Sequence, residues 1–268
     1  MTAVVGRPAM APARVGWVPV AWALAKRSMI GILRIPAAVV PLIAMPMFFV
    51  IAFSGSFSSL SDLPSFPTDN VYNWFVPFAI LQGAAFAGFG TGFSTVRDIE
   101  AGFYDRLLLA PGSRIPLFVG PIIAGIARCT FTLVAVLALG LVLGVEMTDV
   151  VLGLLALWVA GVGVAVIATG WALGLVFRVP NSRSGPILQV GIFFATFLST
   201  GNVPLDDQVG WTKPIATVNP LTPILQLARQ GFLGEVAWRT TWPGLLAIAG
   251  SAAALWIWAV TGLKRLIP

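Results

Sequence analysis

Six stretches of this sequence are long, apolar and nearly free of charged residues, and they constrain the fold more than any other feature. Only the third contains a charge, Arg128. A helix rises about 1.5 Å per residue, so each stretch can cross a hydrocarbon core of about 30 Å. We therefore predict an all-α, polytopic membrane protein with six transmembrane helices. The predicted spans are residues 36–61, 70–96, 115–145, 150–177, 184–205 and 240–263.

The composition leaves no room for a large soluble domain. Hydrophobic residues make up 58% of the 268 residues and charged residues only 10%, whereas soluble domains carry about 25% charged residues. The chain lacks histidine and has one cysteine, Cys129, which excludes histidine-based catalysis, histidine metal sites and an intrachain disulfide. We predict a single transmembrane domain over residues 1–268.

The basic residues are distributed unevenly between the two sides of the predicted spans. One side holds 13 of the 16: Arg7, Arg14, Lys26, Arg27, Arg34, Arg97, Arg106, Arg114, Arg128, Arg178, Arg183, Lys264 and Arg265. The other side has Lys213, Arg229 and Arg239, with most of the acidic residues. Because cytoplasmic loops are enriched in Lys and Arg, both termini are predicted to be cytosolic. This orientation explains the net charge of +6 without nucleic acid.

Residues 1–35 and 205–235 flank the predicted spans on opposite sides. Trp17 and Trp22, followed by basic residues, are typical of a helix in the membrane interface, so 1–35 is predicted to be a cytosolic region with an interfacial helix. Within the outer loop 205–235, the uncharged run 214–228 is short and contains three prolines. It is predicted to form a short re-entrant helix at the outer face.

The predicted cytosolic segment 97–114 has the pattern of an amphipathic helix. Asp98 suits a helix N-terminus, and Pro111 with the following glycine would end the helix. Phe103 and Leu107 then share one face at helical spacing. Such a helix rests on the membrane or fits a groove in a partner protein, and the spacing alone leaves both open.

The spans carry little that suggests bond chemistry. None of the three lysines stands between Gly and Ser or Thr, as a phosphate-binding P-loop requires, and no acidic residue lies within a span. Asp206 and Asp207 are adjacent in a loop, where they are either solvated or form a catalytic or metal site. Arg128 also has two interpretations: it snorkels to the cytosolic interface, or it is a functional charge within the membrane.

Two segments together carry a recognisable family pattern. The first, in the cytosolic segment, comprises Asp98, Glu100, Gly102, Asp105, Arg106, Leu107, Pro111, Ser113 and Arg114. The second, before the last span, comprises Phe197, Ser199, Pro204, Trp211, Asn219, Pro220, Leu221, Thr222 and Arg229. The chain resembles the permease subunits of type-2 ABC exporters, the class that includes daunorubicin-type drug exporters and bacterial lipid and polysaccharide exporters. The Gly-apolar-x-Asp-Arg form of the first segment is similar to the drug-exporter branch.

The resemblance implies a transport subunit that is not itself an enzyme and holds no cofactor. Two permeases, identical or paralogous, would pair among the membrane lipids and bind two copies of a separate ABC ATPase subunit, which holds ATP and Mg²⁺. The exported compound would be a drug-like or lipid amphiphile, and the location the inner membrane of a bacterium. The implied coupling residues are Asp98, Glu100, Gly102, Phe103, Asp105, Arg106 and Leu107. Phe103 and Leu107 are expected to insert into a groove of the ATPase.

Polar side chains of the second and fifth spans are candidates for the substrate pathway. They are Asn73, Gln82, Thr91, Gln189, Thr196, Ser199, Thr200 and Asn202. The alternative is hydrogen bonding between helices of one subunit. Two other classes of function stay open on the residues alone: a membrane enzyme acting at the outer face, and a membrane scaffold or channel without an ATPase partner.

Overall fold

Every regular element in the described part of the chain is helical, which confirms the predicted all-α fold. The structure is a computed structural model that describes residues 16–34, 36–234 and 236–266. Residues 1–15 and 35 of the predicted N-terminal region, and residue 235 of the predicted outer loop, lie outside the described residues. The helices are α1 (Trp17–Leu33), α2 (Pro36–Ser56), α3 (Val71–Glu100), α4 (Phe103–Leu109), α5 (Pro116–Val142), α6 (Val150–Val176), α7 (Ser184–Phe197), α8 (Thr212–Val218), α9 (Leu221–Leu233) and α10 (Trp238–Leu263), with a short 3-10 helix at Ser58–Asp62.

Four of these helices, α3, α5, α6 and α10, are long and apolar enough to cross a membrane. Two shorter apolar stretches, Leu42–Ser56 in α2 and Ser184–Phe197 in α7, accompany them. The prediction of one continuous helix over 184–205 is wrong, because α7 ends at Phe197 after 14 residues. At about 1.5 Å per residue, α7 is about 21 Å long, which is less than the thickness of the hydrocarbon core.

Helix α3 is the centre of the fold and packs against α2, α5, α6 and α9. Its small residues allow close contact with α6: a Cβ added to Gly88 would lie 2.6 Å from Cβ of Ala168, and one added to Gly92 would lie 2.8 Å from Cβ of Ala172. Real Cβ atoms do not approach so closely, so glycine is required at this crossing. These small residues therefore serve packing within one chain.

Helix α1 packs along the first half of α5, with Gly120 of α5 against Leu24 of α1. Trp17 and Trp22 are exposed on its other side. This arrangement places Arg27 and Ser28 beside the end of α3 and the start of α4. The N-terminal helix is thus a structural neighbour of the segment that the sequence marks for coupling.

Candidate functional site

The predicted coupling segment is divided into two helices at Gly102. Helix α3 continues through Glu100, Gly102 has a left-handed backbone conformation with φ of +65°, and α4 begins at Phe103. A single helix that starts near Asp98 is therefore a wrong prediction, because Asp98 lies in the last turn of α3. Glycine adopts positive φ without steric cost, which explains why the chain can turn sharply here.

Asp98 is held by an arginine that is distant in the sequence. Arg27 of α1 donates two hydrogen bonds to the Asp98 carboxylate, at 2.6 and 2.7 Å, and its guanidinium lies 4.0 Å from the centre of the Phe103 ring. The Asp98 hydrogen bond holds the pKa of Arg27 above its ordinary value. Bidentate pairing and ring stacking together fix α1, α3 and α4 relative to one another.

One face of α4 is anchored inside the permease. Tyr104 is buried against Phe177, the residue that follows α6, and its burial raises the pKa of the phenol above its ordinary value. Leu107 is half-buried against the same apolar cluster, which also includes Leu117 of α5 and Leu263 of α10. The sequence interpretation does not single out Tyr104, although an aromatic side chain next to Phe103 on an amphipathic helix is a signal for a buried ring contact.

The other face of α4 is exposed. Asp105 and Arg106 are exposed, and Leu109 is 82% exposed despite its apolar side chain. Glu100, just before the turn, accepts a hydrogen bond from the backbone N–H of Ser182 at 2.9 Å. Thus Glu100 contacts the loop between α6 and α7 of its own chain.

The assignment of these residues to ATPase coupling stays a prediction. In the chain by itself, however, both side chains are half-buried: Arg27 stacks on the Phe103 ring, and Leu107 packs against the apolar cluster of Tyr104. The physical reason is the turn at Gly102, which directs the start of α4 back towards α1. Leu109 is the apolar side chain of α4 that the fold leaves exposed.

The second family segment forms a compact cap over the end of α7. The Asn219 side chain accepts a hydrogen bond from the N–H of Leu221, the first residue of α9, and donates one to the carbonyl of Ala195 in α7. Thr222 donates to the carbonyl of Ala216 in α8. The Asn-Pro-Leu-Thr pattern therefore joins three helix ends. Helices α8 and α9 occupy the region predicted as a short re-entrant helix.

Arg229 is the centre of this segment and is fully enclosed by protein. Its guanidinium donates to the carbonyls of Trp74, Thr200 and Gly201 at 3.2, 2.8 and 2.9 Å, and it stacks 3.4 Å from the centre of the Trp74 ring. These bonds tie α9 to the start of α3 and to the turn after α7. Arg229 acts here as a structural clamp.

Arg128 is 1% exposed and is enclosed by side chains of its own chain. It donates to the Thr91 hydroxyl at 2.9 Å and to the Ser28 hydroxyl at 2.6 Å, with a further bond to the Ser28 carbonyl. It lines a cavity of about 480 Å³ together with Arg97 and Gln189. No ion pair to Arg128 is present among residues 16–34, 36–234 and 236–266.

The candidate pathway residues lie at several different places in the described part of the chain. Asn73 bridges α9 and the loop after α5, since it donates to the Phe232 carbonyl and accepts from the Glu146 N–H. Thr91 and Gln189 lie at the cavity of Arg128, the first through its hydrogen bond. Thr196 lines a second, apolar cavity. Ser199 and Thr200 form the turn after α7, and Asn202 follows that turn. Gln82 is buried, and its side chain makes no hydrogen bond.

Asp206 and Asp207 are exposed in the loop between α7 and α8. The only side-chain contact made to either is a hydrogen bond from Lys213 to the Asp206 backbone carbonyl at 3.3 Å, so the carboxylates remain solvated in the described structure. Within that part of the chain, no group of three or more metal-ligating side chains is present.

Comparison with known proteins gives one family. The family model described as ABC-2 type transporter matches residues 19–233. The daunorubicin resistance ABC transporter permease protein DrrB1 of Streptomyces coeruleorubidus is 26% identical over 238 residues, which are 87% of this chain and 81% of that protein. The probable multidrug ABC transporter permease YbhR of Escherichia coli strain K12 is 24% identical over 192 residues, or 68% of this chain and 51% of that protein.

A third relative is similar over much of its length: the putative transport permease ycf38 of Pyropia yezoensis is 28% identical over 227 residues, or 82% of this chain and 75% of that protein. The family match includes both segments that carry the resemblance. An enzyme acting at the outer face is therefore the wrong interpretation of Asp206 and Asp207. The chain belongs to the ABC-2 type transporter family, and it is a membrane permease of an ABC transporter that uses ATP through a partner.

Proposed function

We propose that this chain is one of two permeases in an exporter, and that α4 transmits the movement of a separate ATPase subunit to the membrane helices. The supporting observation is the division of α4 into an anchored face and an exposed face. Tyr104 and Leu107 pack against α5, α6 and α10, while Leu109 is exposed on the opposite side. Force applied to the exposed face is therefore passed to the ends of three long helices.

The substrate is proposed to be a hydrophobic or amphiphilic small molecule that moves outward. The support comes from two relatives: DrrB1 is named as a daunorubicin resistance permease, and YbhR is named as a probable multidrug permease. The partner permease is a second copy or a paralogue, and the proposed location is the inner membrane of a bacterium. ATP and Mg²⁺ are bound by the ATPase subunit.

The proposed topology has six membrane elements and cytosolic ends. Helices α2, α3, α5, α6 and α10 cross the membrane, and α7 with α8 and α9 forms a broken sixth element. A broken element is tolerated at membrane depth when protein satisfies its backbone groups. The hydrogen bonds of Asn219 and Thr222 do this where α8 meets α9.

Cysteine labelling is expected to place α4 and the outer loop on opposite sides. Single cysteines at Ser113 and Asp207, both exposed, are introduced into a Cys129→Ala background. In intact cells, a membrane-impermeant maleimide should label the cysteine at 207 and leave the one at 113 unlabelled until the cells are opened, because the basic side faces the cytosol. The reverse pattern would reject the orientation.

The ATPase partner is expected to co-purify with the chain. Tagged permease is extracted from its native membranes in a mild detergent, and associated proteins are identified by mass spectrometry. We expect an ABC ATPase with a P-loop, and ATP hydrolysis only in the complex, since none of the lysines of this chain has a P-loop context. Hydrolysis by the separated permease, or a permease pair that never carries an ATPase, would refute the proposal.

A further inference from the structure

Two cavities share Arg97 in their linings, and we call them together the groove, with a charged chamber and an apolar chamber. The charged chamber, of about 340 Å³, is lined by Arg27, Ser28 and Asp98 as well as Arg97. The apolar chamber, of about 480 Å³, is walled by the rings Phe86, Phe89 and Phe93 of α3 and by side chains of α1, α2 and α7. Both volumes fall in the range of small-molecule sites.

The groove carries positive charge that the described residues do not neutralise. Arg27 is paired with Asp98, and this is the one ion pair among the described residues. Arg97 and Arg128 line the apolar chamber without a carboxylate partner in that part of the chain. A ligand entering this chamber therefore meets two guanidinium groups next to aromatic walls.

Arg128 differs from the other fully buried arginine in the way its nitrogens are used. All three guanidinium nitrogens of Arg229 donate hydrogen bonds to backbone carbonyls. In Arg128, which is 1% exposed, Nε has no hydrogen-bond partner, and Thr91 and Ser28 satisfy only the two terminal nitrogens. A buried cation without a counter-ion is costly, so an anion in the groove would be strongly attracted.

We propose that this groove binds an amphiphile with an anionic head group, and that Arg97 and Arg128 contact the head group while the α3 phenylalanines contact the tail. The apolar chamber explains a tail, which a free inorganic anion lacks. The two unpaired guanidinium groups explain the negative head, because a cationic amphiphile would be repelled from them. The site goes beyond ATPase coupling, and its existence does not depend on an ATPase partner.

The proposal is tested by lipid binding to the purified permease in a neutral detergent. Native mass spectrometry measures the apparent affinity for phosphatidylglycerol and for phosphatidylcholine with the same acyl chains. We expect phosphatidylglycerol to bind at least about tenfold more tightly, and Arg97→Gln to remove at least about tenfold of that affinity, as for loss of one charge-assisted hydrogen bond. Arg97 is exposed at the helix end, so its replacement should not prevent folding.

Arg114→Gln is the matched control, because Arg114 is an exposed arginine that does not line either chamber. It should bind phosphatidylglycerol like the unmodified chain. Arg128→Gln is the second variant; if it folds, it should lose affinity as Arg97→Gln does, and if it does not, Arg97→Gln decides. Equal affinity for the two lipids, or equal behaviour of Arg97→Gln and Arg114→Gln, would overturn the proposal.

A competition experiment distinguishes a site for an amphiphile from a site for a simple anion. Dodecyl phosphate should displace phosphatidylglycerol, whereas inorganic phosphate at the same concentration should not. Equal displacement by both would overturn the assignment of a tail chamber.

Two further measurements identify the source of the ligand. Each is made only if phosphatidylglycerol binds more tightly than phosphatidylcholine. Phosphatidylglycerol that remains bound through purification, and is lost in Arg97→Gln, would identify a resident membrane lipid. Stimulation of ATP hydrolysis by dodecyl phosphate in the complex with the ATPase would identify a transported compound. The lipid-binding measurements use the permease alone and do not depend on the co-purification experiment, so failure of the binding site is distinguishable from failure of the proposed ATPase coupling.

Discussion

Replacing Arg229 with leucine is expected to eliminate the folded permease. The guanidinium group is enclosed by protein, and it donates to three carbonyls that belong to Trp74, Thr200 and Gly201. Leucine is similar in bulk but has no donor. The Thr200 and Gly201 carbonyls would then be left buried without this donor, the Trp74 carbonyl inside α3 would lose its side-chain donor, and the stacking on the Trp74 ring would be lost.

The size of this effect follows from the cost of unsatisfied polar groups. Each buried acceptor without a donor costs about 1–3 kcal/mol, and the total stability of a folded domain is about 5–15 kcal/mol. Two such losses at one position, together with the lost ring stacking, therefore remove a large part of the free energy of unfolding. Arg229→Lys is expected to be intermediate, because an ammonium group keeps the charge but cannot match the planar guanidinium geometry.

The measurement is the yield of monodisperse protein after detergent extraction, followed by the midpoint of thermal unfolding. The control is Arg239→Leu, since Arg239 is an exposed arginine in the first turn of α10. It should give a normal yield and a nearly unchanged midpoint. A stable, monodisperse Arg229→Leu protein would show that the clamp does not hold the outer segment together.

The long helices of this fold could be predicted from the sequence because their cause is local. An uncharged run of sufficient length forms a helix when lipid or protein surrounds it, since the backbone must bond to itself there. Helix α6, predicted over 150–177 and observed at Val150–Val176, is a clear case. The region around α7 could not be predicted in this way, because the Arg229 clamp ends the helix through contacts made across the fold.

The geometry of the candidate sites depends on contacts that no local pattern contains. Asp98 has the position of a helix start in the sequence, yet its partner Arg27 is 71 residues away. Arg128 has two interpretations on the sequence alone, and its hydrogen bonds depend on Ser28, which lies on a helix 100 residues earlier in the chain. Spacing identifies which residues are polar within an apolar environment, but the tertiary fold determines whether each is satisfied, exposed or available to a ligand.

Replacing Leu109 with aspartate is expected to release the ATPase subunit from the permease. Leu109 is 82% exposed on a seven-residue helix whose opposite face is anchored, so a charge there should not disturb the fold. If this leucine is at the centre of the ATPase contact, a buried carboxylate without a partner would weaken binding by at least about 2 kcal/mol, or about thirtyfold. Retention of the ATPase on tagged permease, and ATP hydrolysis per permease, are the measurements.

The control for Leu109→Asp is Val209→Asp in the outer loop, because Val209 is an apolar residue with nearly the same exposure, 81%. It should retain the ATPase fully, as should Asp69→Ala. Phe103→Ala separates the two models of coupling. In the geometry of this chain Phe103 supports Arg27, so its loss should lower the thermal midpoint and weaken ATPase retention less than Leu109→Asp does. Release of the ATPase by Phe103→Ala alone, with full retention by Leu109→Asp, would favour insertion of Phe103 into the ATPase groove and reject the exposed face of α4 as the contact.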